Sequence, residues 1–196
     1  MAHQVIDMKC PGCGAPTSTG ETVCKYCHRP VVISTFNSVY SMPMPEVNKY
    51  AGAYRNALAQ NPDNTALNNS IAMCYLKLKL YDKAQAAFEK VVEDNFDNSE
   101  TFFYAAVCLL KGKKAFLAQR TDIDKAVEYI NAALMIEPRG IYYYFLAYIK
   151  YDFFERKYLN TTPNYRECMQ MSIDVGTSEF DKEMLFNVLG IARPKF

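Results

Sequence analysis

The chain has 196 residues, half of them hydrophobic and 22% charged, with 22 Lys and Arg against 21 Asp and Glu. That composition supports a packed core, excludes disorder as the default, and leaves room for one ordinary domain plus a small module. The net charge of +1 is spread out: residues 1–34 hold Lys9, Lys25 and Arg29 against Asp7 and Glu21, the rest balances, and composition gives no basic footprint for nucleic acid or anionic membrane.

The opening MAHQVIDMKC has no apolar run and carries an acid at Asp7, so no export signal is expected. No later apolar stretch is long enough to insert directly in a bilayer. A cytoplasmic, reducing location follows as the expectation. There, seven cysteines mean metal ligands or small buried hydrophobes rather than disulfides.

Residues 10–30 read CPGCGAPTSTGETVCKYCHRP. Cys24–His28 spells C-x-x-C-H, the haem-attachment pattern, but that reading leaves Cys10 and Cys13 unexplained and requires export. Two C-x-x-C pairs, Cys10/Cys13 and Cys24/Cys27, instead place four thiolates where they close a tetrahedron around structural Zn²⁺. Gly12 and Gly14 let the first turn fold back on its ligands. Short apolar runs at Val5-Ile6, Thr22-Val23 and Val31–Ile33 are the expected strands. Lys9, Lys25 and Arg29 are placed to offset the thiolate charge, and His28, where a glycine is common, reads as a surface residue. Rubredoxin-like iron and a Cys24/Cys27 redox dithiol are the alternatives; the iron site usually has wider knuckle spacing, and nothing βαβ-like surrounds the dithiol. Residues 1–34 read as one module, and roughly residues 5–34 of it resemble the zinc ribbons at the ends of many bacterial proteins, which implies a metal that holds shape.

Residues 35–46, with Pro43 and Pro45, read as a semi-rigid linker. A helical period then runs over 47–196. Val47–Gln60 predicts one helix, Thr65–Lys79 and Tyr81–Val92 a helical pair, and Ser99–Lys111 the start of another. Cys74 and Cys108 lie 34 residues apart, as do the helices that carry them, so both are expected as core packers. The next helix, with Ala126, Ile130, Ala133 and Leu134, matches at a spacing of 42, which places an eight-residue insertion around Gly112–Thr121. Ile141–Phe154 predicts a further first helix. Asn164–Ile173 and Ser178–Leu189 predict capping helices, the second with a stripe of Phe180, Met184, Leu185, Val188 and Leu189.

The small and aromatic positions of Tyr81–Val92, with their 34-residue echo, resemble tetratricopeptide repeats over roughly residues 47–155. The resemblance implies a mainly α fold, a helical-repeat solenoid preceded by a small β zinc ribbon. Glycine at the first-helix crossing is replaced by Ala72, Ala106 and Tyr148. The resemblance also implies a concave groove for a protein or peptide segment, lined by Asn69, Met73, Leu76, Phe103, Val107, Leu110, Phe145 and Ile149. The same apolar groove has a second reading, filled by the chain's own C-terminal helices or by the Pro43–Pro45 segment. The basic clamp of chaperone-binding repeats is absent from these positions.

His3 and His28 lie outside the helical body, Lys111–Lys114 lacks phosphate-loop spacing, and no catalytic constellation or small-molecule substrate site emerges. The reading is therefore a non-enzymatic interaction scaffold or adaptor. The alternative is a regulator that docks nucleic acid, or a transcription or translation machine, through Lys9, Lys25, Arg29 and Tyr26 of the ribbon.

Overall fold

The computed structural model describes residues 5–94 and 96–195; residues 1–4, His3 among them, with Asn95 and Phe196, lie outside it. The chain divides into two compact units, Met1–Phe96 and Asp97–Phe196.

In the first unit, strands β1 (Asp7–Lys9) and β2 (Pro16–Ser18) pair antiparallel, Met8 opposite Thr17. They enter and leave the first knuckle, so the ladder lies one step inside the expected Val5-Ile6 strand. Ile6 joins it only through Thr19, whose hydroxyl accepts its N–H at 3.0 Å. Val23 makes a single bridge with Pro30, whose missing N–H cannot extend a ladder. Val31–Ile33 also forms no strand; the Val31 N–H donates to the Thr22 carbonyl (3.1 Å), while the Val31 carbonyl and both polar groups of Ile33 are met by helix side chains.

Residues 35–46 are not a free connection. Phe36–Tyr40 form a short helix, α1, with Phe36 and Val39 fully buried, and helix α2 (Met44–Leu58) starts inside the same stretch. Pro45 sits in its first turn, where a helix needs no N–H. Every third or fourth residue of α2 then faces inward: Val47, Tyr50, Ala51 and Tyr54. Helices α3 (Thr65–Lys77) and α4 (Tyr81–Asp94) form an antiparallel pair.

The second unit repeats that pairing. Helix α5 (Ser99–Leu109) packs on α6 (Arg120–Ile136), and α7 (Gly140–Ile149) packs on α8 (Tyr165–Val175). The N-caps carry the same period: the Asn64 side chain accepts the Leu67 N–H, and that of Asn98, 34 residues on, accepts the Thr101 N–H. Cys74 and Cys108 are fully buried, as their equivalence requires, and burial pushes the Cys74 thiol up to about 12.

One helix takes a role the sequence did not indicate. As the partner of α7, α8 completes a third pair, which leaves only α9 (Glu179–Leu189) as a cap. It is N-capped by Ser178 as expected, but its inner face is Met184, Leu185, Phe186, Val188 and Leu189, while Phe180 is 57% exposed. Phe186 meets the rings of Tyr148 (5.3 Å) and Tyr144 (6.2 Å) on α7.

The insertion also has a fixed place. Ala115–Leu117 form a 3-10 turn whose Ala115 N–H donates to the Tyr148 hydroxyl (3.0 Å), and the Phe116 N–H donates to Asp152 (2.9 Å). Tyr148 thus stands at a helix crossing where a small residue is usual, because the insertion supplies its hydroxyl with a partner.

A Cβ on Gly140 would lie 2.1 Å from the Gly176 carbonyl oxygen and 2.3 Å from the Thr177 hydroxyl. The first residue of α7 therefore touches the α8–α9 turn directly. Gly140→Ala is expected to destabilise the second unit by about 1–3 kcal/mol or more, since backbone must move to make room. Gly52, inside α2 with no atom near its missing Cβ, is the opposite case. Gly52→Ala is expected to gain about 0.5–1 kcal/mol. Urea unfolding of the two variants checks both signs.

Candidate metal centre and its helical support

The two knuckles are the same turn used twice. In the first, the Cys10 N–H donates to the Ala15 carbonyl (2.8 Å) and the Gly14 N–H to the Cys10 carbonyl (2.9 Å). In the second, the Cys24 N–H donates to Arg29 and the His28 N–H to Cys24, both at 2.9 Å. Each turn needs a left-handed residue after its second cysteine: Gly14 at φ 82° and His28 at φ 57°. His28 is exposed and occupies the glycine position at a conformational cost.

The four sulfurs lie within 4.8 Å of one another. Cys10 and Cys27 are separated by 3.6 Å and Cys13 and Cys24 by 3.7 Å. A disulfide needs about 2.05 Å, whereas a tetrahedron with metal–sulfur bonds of about 2.3 Å has edges of about 3.8 Å. The donor set therefore fits one tetrahedral, thiophilic ion. Cys10 and Cys24 are buried, Cys27 is half-buried and Cys13 exposed, so the ion would sit at the ribbon's edge. Backbone hydrogen bonds from Cys27 first, then Tyr26, pull the Cys24 thiol down to about 7, toward the ligand form. Gly12 is tied to the site by space: its Cβ would come within 3.2 Å of the Cys27 sulfur and 3.0 Å of the Arg29 side chain.

Two of the three expected ribbon cations, Lys25 and Arg29, have other partners. Lys25 pairs with Glu21 (2.7 Å) and Arg29 with Glu46 of α2 (2.5 Å). Those pairs weaken the electrostatic basis for nucleic-acid docking, although Tyr26 is exposed. A cation that local sequence did not flag, Lys49 of α2, donates to the Gly12 carbonyl.

Further contacts join the ribbon to the helices. The hydroxyl of Tyr50 donates to the Pro30 carbonyl (3.2 Å) and that of Tyr54 to the Val31 carbonyl (2.9 Å). Ser70 of α3 accepts the Ile33 N–H (3.0 Å), and its own proton has the Ile33 and Ala66 carbonyls in reach. Farther along α3, Lys77 donates to the Tyr40 carbonyl (2.6 Å). Ser70 and Lys77 lie two turns apart, so the Ile33–Tyr40 segment runs over the face of α3 that holds Met73.

That segment bears on the expected groove. Asn69, Met73 and Leu76 in the first unit, and Phe103, Val107, Leu110, Phe145 and Ile149 in the second, are all buried. They are packing positions here, not an open surface. Phe103 stacks on Tyr142 (4.6 Å) and meets Phe145 edge-on (5.7 Å), and α9 packs against α5 and α7. The physical reason is area: so apolar a lining is stabilised by covering it, and neighbouring segments of each unit do so.

Residues 51–101 match the family model for the tetratricopeptide repeat, a span that takes in α3 and α4 with the end of α2 and the start of α5. The helices within that span are similar to a tetratricopeptide repeat. Among solved structures, the chain titled MamA MSR-1 C2 is similar at a TM-score of 0.51 and 20% identity, over 66% of this chain and 67% of that one. At that identity the likeness concerns the fold alone: a mainly α, tetratricopeptide-like solenoid, here preceded by a small four-cysteine ribbon. Comparison with curated proteins gives no match. No helix among the described residues is long and apolar enough to cross a membrane.

Two expectations follow. His28→Gly should hold metal at least as firmly as the parent, while the β-branched His28→Val should release it faster to a chelator, as read by a colorimetric zinc indicator. Ser70→Ala leaves the buried Ile33 N–H without its acceptor. Its expected cost is about 1–3 kcal/mol in chemical unfolding, and an unchanged midpoint would show that the ribbon–helix joint does not stabilise the unit.

Proposed function

We propose that the protein is a non-enzymatic, cytoplasmic interaction scaffold or adaptor, with one structural Zn²⁺ on Cys10, Cys13, Cys24 and Cys27. The sulfur geometry carries the metal half of this reading: four sulfurs within 4.8 Å of one another, two of the pairs near a tetrahedral edge. When bound, the ion supplies cross-linking and no catalysis, because four protein ligands leave no position for water. A ribbon of about 30 residues buries too little apolar surface to fold on its own, and the ion, with the α2–α3 surface, supplies the deficit. The scaffold half is supported by the tetratricopeptide match and the three helical pairs, since arrays of this type bind peptides or protein segments. With the inner positions packed, the partner surface belongs to exposed residues.

Native mass spectrometry of the full chain should show one zinc per chain. Cys10→Ser with Cys13→Ser should lose the metal and lower the melting temperature. Iron in place of zinc, or a melt that ignores chelation, would refute the metal reading. Affinity capture at physiological salt with intact protein should retain a defined protein partner; retention of nothing above background would sink the scaffold reading.

A further inference from the structure

Helix α7 does not end as a regular helix. Lys150–Phe154 make a π turn, Glu155–Lys157 a 3-10 turn, and Tyr158 adopts the left-handed conformation before the chain reaches α8. Wide turns of this kind recur at functional sites because they push side chains out of helical register. Here the π turn buries Lys150, leaving it 6% exposed.

A buried ammonium needs a counter-charge. Asp152 of the same turn has one: it pairs with Arg156 at 2.5 Å and accepts the Phe116 N–H. Lys150 does not. Its Nζ donates to the Thr161 hydroxyl and lies 5.0 Å from the centre of the Phe154 ring. No ion pair of Lys150 is found among the described residues. Cys168 and Asp124 act on it only through space; burial pushes the Cys168 thiol up to about 11, so it stays neutral, and the Asp124 carboxylate is held by Arg120, with both oxygens 2.8 Å from Nε. Burial therefore holds the amine below its usual range.

The same lysine lines a cavity of about 280 Å³, walled also by Thr161, Thr162, Asn164, Arg166 and Glu155. The Asn164 side-chain oxygen is used by the cap of α8, where it accepts the Arg166 and Glu167 N–H groups. The hydroxyls, the lysine and the guanidinium are donors suited to an oxyanion. Glu155 reduces the charge of this lining to +1, which suits one anionic group and disfavours a polyanion. The volume lies just under the range of about 300–1,000 Å³ typical of ligand pockets, so the occupant is small.

We propose that this cavity binds a small phosphate-class oxyanion, which supplies the counter-ion that Lys150 lacks. Thr161 orients the ammonium, and Arg166 closes the mouth as a second cation. The site is separate from the metal centre and does not depend on the scaffold reading.

The test is calorimetric titration of the full metal-loaded chain with inorganic phosphate, against chloride at equal ionic strength. Saturable one-to-one binding is expected. Lys150→Met keeps the buried stem and should weaken binding at least about tenfold, the scale of a lost hydrogen bond to a charged group. Thr161→Val should weaken it less. Should Lys150→Met fail to fold, Thr161→Val and Arg166→Gln decide, and undiminished binding in both would overturn the proposal. Glycerol phosphate distinguishes the sources: tighter binding than inorganic phosphate assigns an ester, weaker binding the free ion. No saturable heat, an unaffected Lys150→Met variant, or equal binding of acetate would each overturn it.

Discussion

The first unit depends on how the chain from Pro30 to Ile33 satisfies its backbone. A ribbon normally closes its edge with another strand; here the edge meets two helices. The Tyr50 and Tyr54 hydroxyls take carbonyls of Pro30 and Val31, and Ser70 takes both polar groups of Ile33. Buried backbone groups without partners cost a large fraction of a small domain's stability. The ribbon and the helical pair are thus one folding problem. A metal on the four cysteines would fix the second knuckle, the knuckle fixes Pro30–Ile33, and that segment covers α2 and α3. Structural zinc would stabilise helices that it never touches.

The second unit shows a different kind of coupling. Its insertion after α5, its large Tyr148 at a crossing and its buried Asp152 look like three separate departures from a tetratricopeptide pattern. In space they are one arrangement, since Tyr148 and Asp152 hold the backbone of Ala115 and Phe116. The π turn that buries Asp152 buries Lys150 too, which forms no ion pair among the described residues. Gly140 is a further departure with a cause, since only a glycine lets α7 begin against the Gly176–Thr177 turn.

Much of this was legible from local pattern. The four cysteines at knuckle spacing announced the four-sulfur cluster, because its geometry is written in two short loops. The 34-residue echo of Cys74 in Cys108 announced buried packers and helix boundaries, because period is a property of the chain. His28 was visible as an oddity, though only the repeated turn shows why a glycine suits its place. The strands were misplaced because Val31–Ile33 has strand-like composition, while most of its partners come from helices up to 37 residues away. The Pro43–Pro45 stretch read as a linker because prolines mark boundaries; here one of them starts a helix.

The sequence by itself determined the ligand set, the mainly helical repeat character and the period, all of which follow from local spacing. Tertiary structure alone decided what covers each apolar face, which polar backbone groups are answered by which side chains, and which buried charge forms no ion pair among the described residues. Those outcomes depend on long-range packing, where one face has several possible covers and residue type does not say which arrives. The eight residues read as a groove show the difference. The apolar character of seven of them, all but Asn69, was plain in sequence, but only the fold shows that neighbouring segments within each unit already cover them.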